Sequence, residues 1–399
     1  MKKRALKWIA GTLLAIAGLF AAADFGSARL LKPHIERYHR ELAEIRRKET
    51  SYRRPAVFGE PIEQNAANWY RLALPHLTGT LQVIGPALRD GAGYEESATP
   101  SIIRACTESR SLRVQAALSS TQCDWELTSG LESLVAFKYQ YEASALVGCL
   151  IVNGHDAAYK GDPRAAARFY LEGVAVSSDL GNGDDVMTGI AISWSGRSLL
   201  ALAKLATRTD SARLLSDWWD DLLRFDGRLP DIRPALARLR LWTENAAALN
   251  ELEARGGRLR NPIRASASRL SATLSLWLDR AFFEDLEKLE IVGSAEQALR
   301  LGESFKRGAD RSHREVVREF GGGNQEALLV TDTFGVKSIY RATQASIRLQ
   351  QWWLEHGSYP ADAASLDLPS DVRYERSANG SGYKLIGPRT TLVERRPTV

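Results

Sequence analysis

The feature that most constrains the fold is a long stretch of helical patterning, from Ser101 to about Glu290. Apolar residues recur there at the three- and four-residue spacing of amphipathic helices. The breaks are short segments rich in Gly, Pro, Asp, Asn and Ser, at 161–163, 181–184, 209–211, 226–230 and 256–257. Each break supplies a capping residue or a proline for the next helix. Helices joined by tight turns bury their apolar faces on one another. The sequence therefore predicts a mainly α protein, built as an irregular helical-hairpin bundle or stack.

The first residues have the composition of a membrane-insertion segment. A basic head, with Lys2 and Lys7 at its ends, precedes the uncharged stretch Trp8–Ala23. As a helix this stretch spans roughly 24 Å, slightly less than the ~30 Å hydrocarbon core of a bilayer. It is either an uncleaved signal-anchor or a signal peptide cleaved after Ala23. The helical pattern of Ala28–Lys48, typical of a juxtamembrane stalk, favours the anchor.

The orientation of this segment follows from its flanking charges. Lysines and arginines are equally frequent on its two sides, so the count of basic residues is tied. A short basic N-terminus usually stays in the cytoplasm, which would place the body on the other side. We therefore expect a bacterial inner-membrane protein with one N-terminal span and a periplasmic body.

The positive net charge belongs to the membrane flank. Residues 1–54 contain thirteen Lys or Arg and five Asp or Glu, whereas residues 55–399 contain forty and forty-three. Anionic lipid headgroups attract such a flank. One basic run in the body, between Arg255 and Arg269, has no interleaved aromatic residues on which bases could stack. We therefore expect the membrane and a protein as partners, and no nucleic acid.

Changes in composition divide the chain into four parts. We expect a signal-anchor or signal peptide at 1–25, a juxtamembrane helix and linker at 26–60, a helical body at 61–320 and a C-terminal module at 321–399. The last part begins at three consecutive glycines, 321–323.

The C-terminal module has a distinctive order of elements. A helix over Tyr340–His356 is followed by Gly357-Ser358-Tyr359-Pro360, by the short segment 364–366, and by a hairpin. The hairpin strands, Val372–Ser377 and Tyr383–Ile386, flank an Asn-Gly turn. Residues 340–387 resemble the globular part of type II secretion pseudopilins, and the resemblance implies a small α+β hairpin module packed on the end of a helix. Pseudopilins, however, have their membrane helix directly before this module, whereas here some three hundred residues intervene.

A second resemblance covers residues 150–178. Gly154, the Gly161-Asp162 turn, Ala166, Tyr170 and Gly173 occupy positions that match one tetratricopeptide unit. The resemblance implies a helical hairpin, with departures at Asn153, Ala157 and Ser178. The whole chain is also similar to large bacterial proteins of unknown function that couple an N-terminal anchor to a helical body.

The polar residues form no recognised catalytic or metal-binding motif. His155 and Asp156 are adjacent, so they point about 100° apart on a helix and cannot easily share a partner. Ser195 lies within a helical pattern, and the first glycine of a nucleophile elbow is replaced by Ala191. The acidic turn at 181–185 lacks the closing glutamate of a calcium loop. The catalytic residues thus stay unknown, and we expect no metal and no cofactor.

Two groups of residues are candidates for other roles. Cys106 and Cys123 either form a disulfide, if the body is extracytoplasmic, or stay as free thiols. The paired tryptophans are candidate partner contacts if one ring of each pair is exposed, and core or boundary residues otherwise. These are Trp218, Trp219, Trp352 and Trp353.

Three functions are compatible with these features. The favoured hypothesis is a membrane-anchored, extracytoplasmic helical scaffold that holds a partner protein in the grooves of its hairpins. The first alternative is a secretion or pilus accessory subunit. The second is a cell-envelope hydrolase whose carboxylates come from separate helices, for instance Glu132 or Asp185. Whether the protein is an enzyme stays open, with a non-enzymatic role favoured.

Overall fold

The structure is a computed structural model and divides into two compact units. The described residues are 59–88, 99–125, 139–183, 185–237, 240, 280–310, 325–362, 372–378, 380–387 and 390–395, with scattered positions between 18 and 47. The first unit comprises Met1–Lys48, Leu236–Val292 and Leu299–Ala327, and the second comprises Glu49–Ala235, Gly293–Ala298 and Leu328–Val399. The described part of the chain is mainly helical, as the periodicity predicts.

The helices and strands follow one another in this order. The first part of the second unit contains β1 (Ile62–Asn65), α1 (Ala66–Ala73), α2 (Thr80–Ile84), α3 (Pro100–Ser109), α4 (Leu112–Ser119), β2 (Ser120–Gln122), α5 (Gln140–Tyr159), α6 (Pro163–Leu180), α7 (Asp185–Thr207) and α8 (Ala212–Leu223). Next come α9 (Arg280–Ile291), α10 (Ala295–Asp310), α11 (Gln325–His356), β3 (Arg373–Arg376), β4 (Gly382–Gly387) and β5 (Thr390–Arg395).

The core of the second unit is the helical hairpin α5–α6 packed against α7. A tight turn joins α5 to α6, and Gly161 adopts a φ of +76° there, a conformation that glycine tolerates best. The Asp162 side chain accepts a hydrogen bond from the Ala165 backbone N–H at 2.9 Å and so caps α6. The interior faces are mainly apolar, and Leu146, Leu150 and Val174 are fully buried there. The predicted helical hairpin is therefore present.

The two helices of this hairpin touch at a glycine. A Cβ atom added to Gly154 would lie 2.3 Å from Cε1 of Tyr170. Both residues are buried, and the Tyr170 ring packs closely against Gly154 of α5. A larger residue at position 154 would force the helices apart.

Replacing Gly154 with alanine is expected to lower the free energy of unfolding by about 2 kcal/mol, the usual range for overpacking a tight interior. Urea unfolding followed by tryptophan fluorescence measures the change. The matched control is Gly293→Ala, because an added Cβ at Gly293 would meet only Oε1 of Gln297, at an ordinary contact distance of 3.6 Å. That variant is expected to change stability by less than about 0.5 kcal/mol. Equal effects for the two variants would contradict the packing argument.

A small parallel sheet, not predicted from the sequence, precedes the hairpin. β1 pairs with β2, with Ile62 opposite Ser120 and Asn65 opposite Gln122. Strands of four and three residues are too short to show an alternating pattern, which is why the sequence did not indicate them. Asn65 also begins α1, because its Oδ1 accepts the N–H of Ala67 at 3.1 Å.

The C-terminal module contains a helix and a three-stranded antiparallel sheet in the order β3–β4–β5. The predicted hairpin is confirmed, since β3 and β4 pair with Tyr374 opposite Leu385. The prediction differs from the structure at two points. α11 begins at Gln325 instead of Tyr340, and the third strand, β5, was not predicted because Leu392 and Val393 are its only apolar residues.

The module packs on the central helix of the second unit. Its buried cluster joins Ala203 of α7 to Leu349 of α11 and Leu385 of β4. α11 ends at His356, and the next residue, Gly357, has a φ of +70° and donates its N–H to the carbonyl of Trp353 at 2.8 Å. The Tyr359 ring then enters the cluster.

In the first unit, the described stalk residues contact α9. Arg240 is buried, and its Nη2 donates to Oε2 of Glu41 and to Oε2 of Glu290, each at 3.2 Å. Arg37 Nη2 donates to Glu287 Oε1 at 3.1 Å. Burial raises the pKa of Glu290, although the charge and hydrogen bonds of Arg240 act in the opposite direction. One ion pair thus joins the stalk to α9 directly, and Arg240 bridges Glu41 of the stalk to Glu290 of α9.

Some sequence predictions lie outside the described residues. They concern most of the N-terminal segment, the glycines at 321–323, the segment 364–366, Glu132 and the basic run after Arg255. One helix in the described part, Val186–Thr207, is long and apolar enough to cross a membrane by length and composition alone. Two thirds of its most apolar window is buried inside the fold, as in the central helix of a globular bundle.

Candidate functional site

A groove of about 860 Å³ lies between α5, α6, α7 and the start of α8. Its volume falls in the range of ligand pockets in proteins, which is roughly 300–1,000 Å³. One lining residue, Leu88, comes from the short 3₁₀ helix Gly85–Leu88. The others come from the four helices and their turns: Ile151, His155, Ala158, Tyr159, Gly161, Pro163, Tyr170, Trp194, Arg197, Leu200, Ala201, Lys204, Leu205, Arg208, Thr209, Asp210, Ser211 and Leu214. The whole groove belongs to the second unit.

One wall of the groove is cationic and is formed by α7. Between Val186 and Thr207 the only charged residues of this helix are Arg197 and Lys204, and both line the groove. They are seven residues apart, so they lie on one face of the helix, about 10 Å from each other along its axis. Arg208 follows directly after the helix and extends the same wall. All three side chains are exposed.

The Arg197 side chain is held in place by an aromatic ring. Its guanidinium carbon lies 4.9 Å from the centroid of the Trp194 ring, a cation–π arrangement. Trp194 itself is buried at the base of the groove. The ring therefore orients the charge of Arg197 without neutralising it.

The opposite wall carries an aromatic and imidazole pair. Nδ1 of His155 lies 2.8 Å from the hydroxyl oxygen of Tyr170, and the two rings meet edge to face. Burial raises the pKa of Tyr170, and the nearby positive charge of Arg208 opposes this shift only in part. Tyr170 therefore stays protonated at neutral pH. Tyr159, one turn after His155, is 64% exposed at the rim.

The end of the groove is formed by the turn between α7 and α8. The Thr209 hydroxyl donates to the carbonyl of Leu205 at 2.9 Å, and Ser211 Oγ accepts the N–H of Leu214 at 3.3 Å. These bonds hold the turn rigid and confirm Ser211 as the cap of α8. The lining includes a single carboxylate, Asp210, which is exposed.

Comparison of the chain with protein-family models, curated proteins and solved structures finds no match. The function is therefore argued from the groove and its chemistry alone.

The residues considered for catalysis are not brought together in the groove. His155 lines it, but the neighbouring Asp156 is paired with Lys160, Oδ2 to Nζ, at 2.7 Å. Ser195 lies in the middle of α7 and is fully buried, which excludes the exposed geometry of a nucleophile elbow. Among the residues that the structure describes, no group of three His, Cys, Asp or Glu side chains could hold a metal ion.

Cys106 and Cys123, the two cysteines considered for a disulfide, have different surroundings. Both are free and buried, as is the third cysteine, Cys149. Cys106 lies in an apolar cluster with Cys149, whereas Cys123 Sγ lies 3.7 Å from the carbonyl oxygen of Asp179. The hydrogen bond with Cys149, together with burial, raises the pKa of the Cys106 thiol. In the described structure both cysteines are thus free thiols in separate surroundings, and the raised pKa keeps Cys106 protonated.

The four tryptophans lie apart from the groove. Trp218 is buried and Trp219 is half-buried, with the guanidinium carbon of Arg348 4.0 Å from its ring centroid. Trp353 packs on the C-terminal core, while Trp352 stacks on His356 with centroids 4.2 Å apart. One member of each pair, Trp218 or Trp353, thus packs against the protein core. Trp219 and Trp352 lie at the boundary between the core and the surface.

Sequence reasoning missed the cationic wall. The signal was present, because two basic residues seven positions apart interrupt an otherwise uncharged helix. That spacing places both on one face. What the sequence could not show was that this face stays open when α5, α6 and α8 pack around it.

Proposed function

We propose that this protein is a membrane-anchored, extracytoplasmic scaffold that holds a segment of a partner protein in the groove along α7. The observation that carries the proposal is the groove itself. It is large enough for a short peptide segment, and it combines apolar walls with exposed charged side chains. This combination is typical of binding sites, in which apolar surface supplies affinity and a few polar groups supply specificity.

The rigidity of the groove supports a binding role. Its α5–α6 wall is locked by the Gly154–Tyr170 contact, and its closed end is fixed by the capping bonds of Thr209 and Ser211. A preformed site avoids the entropic cost of ordering its own residues when the partner binds. The groove therefore needs no rearrangement to accept a ligand.

The membrane attachment rests on the N-terminal segment. Leu19 and Phe25 are 72% and 73% exposed in the described structure. Apolar side chains at such positions would be covered by lipid in a membrane, and the basic residues around them would meet the headgroups. These features support attachment to the membrane through the N-terminal segment.

A photo-crosslinking experiment tests the proposal. Benzoyl-phenylalanine introduced at Ala158 or Leu214, both in the groove lining, is expected to give the same crosslinked partner in cells. The control position is Glu108, which is exposed on α3 and outside the lining. Filling the groove with Ala201→Trp should abolish the adduct, whereas Glu108→Trp should leave it unchanged. Adducts that are equal at position 108, or that survive the filled groove, would sink the proposal.

The hydrolase alternative receives less support. A glycoside hydrolase needs two carboxylates facing the substrate, and the described lining of the groove contains one, Asp210. The accessory-subunit alternative is favoured by one observation, the helix, turn and antiparallel sheet of residues 325–395. The apolar face of that sheet packs on α7 and α11, so this face is buried within the chain and is not exposed to another subunit.

A further inference from the structure

We propose that the groove selects an acidic peptide segment, whose carboxylates bind Arg197 and Arg208. This inference rests on the binding role proposed above and adds the chemistry of the partner. The body of the chain, residues 55–399, has more acidic than basic residues. The described groove reverses this balance, with three cationic side chains and one carboxylate.

The two arginines are available to a ligand. Neither Arg197 nor Arg208 forms an ion pair with any residue that the structure describes, and both are exposed. The contact of Arg197 with the Trp194 ring leaves its charge in place. The guanidinium group presents a planar fork of N–H donors that matches the two oxygens of a carboxylate. An acidic side chain is thus the simplest partner for each arginine.

The other lining residues favour a peptide over a phosphate polymer. Leu200, Leu205 and Leu214 provide apolar surface beside the cations, and Tyr159 projects at the rim. A polyphosphate or nucleic acid would gain nothing from the leucines, whereas a peptide can place apolar side chains on them.

The spacing of the charges sets the pattern of the peptide. Arg197 and Arg208 are eleven residues apart, about 16 Å along the axis of α7. An extended chain rises about 3.3 Å per residue, so five residues span this distance. Acidic residues at positions i and i+5, with apolar residues between them, would meet the two arginines and the leucines together.

Selection from a random peptide library tests this inference. A phage-displayed heptapeptide library is panned on the full chain in lipid nanodiscs, and the enriched peptides are labelled with fluorescein for anisotropy titrations. We expect Asp and Glu to be enriched at two or more positions. The double variant Arg197→Glu/Arg208→Glu should weaken binding of these peptides roughly 30-fold. Arg197→Lys/Arg208→Lys, which keeps the charge but loses the guanidinium fork, should weaken it less, by about 5-fold. Binding should also weaken as salt is raised.

Two controls guard against a loss of folding. Arg208 lies at the C-terminal end of α7, where a positive charge also stabilises the helix dipole, so the thermal unfolding of each variant is compared with that of the parent. Arg197→Glu alone, at an exposed position in the middle of α7, should still weaken binding at least 5-fold with unchanged unfolding.

The outcomes separate this inference from the proposed function. Peptides that lack acidic residues and are lost in Ala201→Trp would leave the binding groove intact and overturn the acidic specificity. Inorganic polyphosphate that binds as tightly as the best peptide would assign the groove to polyanions in general. Peptides whose binding survives Ala201→Trp, or a library that yields none, would overturn both proposals.

Discussion

Replacing Arg110 with alanine is expected to lower the free energy of unfolding by about 3 kcal/mol. The side chain of Glu172 is completely buried in α6, and Arg110 binds both of its carboxylate oxygens, with Nε 2.8 Å from Oε2. The guanidinium carbon of Arg110 also lies 5.2 Å from the centroid of the Phe169 ring. Removing one partner of a buried ion pair leaves the other charge without compensation, which typically costs about 3–5 kcal/mol. Urea unfolding of the purified protein measures the loss.

Two variants define the cause of this effect. Arg168 also contacts Glu172, Nε to Oε1 at 3.1 Å, but its side chain is 55% exposed. Arg168→Ala is therefore expected to cost less than about 1 kcal/mol. In Arg110→Met/Glu172→Leu neither charge is present, so most of the stability should return. A double variant as unstable as Arg110→Ala would show that the loss comes from packing and not from the buried charge.

Replacing Tyr359 with alanine is expected to cost about 3–4 kcal/mol and to release the C-terminal sheet. The residue is almost fully buried, with its ring centroid 4.8 Å from that of Trp353 and 4.9 Å from that of Tyr383. Its backbone N–H also bonds to the carbonyl of Gly380 at 3.2 Å, which joins the turn to the hairpin. Large-to-small substitutions of buried aromatic residues typically cost about 3–5 kcal/mol. Hydrogen exchange of the β4 amides reports the loss directly.

Comparison variants separate the ring from its surroundings. Tyr359→Phe retains the ring, so less than about 1 kcal/mol should be lost. Trp352→Ala removes a larger ring, but one that is half-buried and stacked on exposed His356, so about 1 kcal/mol is expected. Protection of β4 that is unchanged in Tyr359→Ala would mean that the sheet is held by β5 and α11 without this residue.

Features that depend on residues close together in the sequence were predicted correctly. The α5–α6 hairpin was predicted from Gly161 and Asp162, because a left-handed turn residue followed by a capping side chain marks the end of one helix and the start of the next. The β3–β4 hairpin was predicted from the Asn-Gly turn and its flanking strands. In each case the determining residues lie within a few positions of one another.

Features that depend on distant contacts were not predictable. The pairing of Ile62 with Ser120, the Glu172–Arg110 ion pair and the groove all join segments that are far apart in sequence. The amino acids next to Glu172 in the sequence are the same whether its side chain faces solvent or Arg110. The local sequence therefore cannot indicate which of these surroundings the side chain has. Only the packing of α3, α5 and α6 decides between these surroundings.

The amino-acid content of α7 has a consequence for how the chain is made. If the body is exported, this helix leaves the translocon before α11, which covers Gly189 and Gly196 through Leu329 and Ile339. During that interval a helix apolar enough to cross a bilayer could partition sideways into lipid. Arg197 sits near the midpoint of the stretch, where a cation raises the apparent free energy of insertion by about 2.5–3.5 kcal/mol. In an exported chain, the Arg197 side chain that lines the groove would thus also disfavour insertion of α7 into the bilayer.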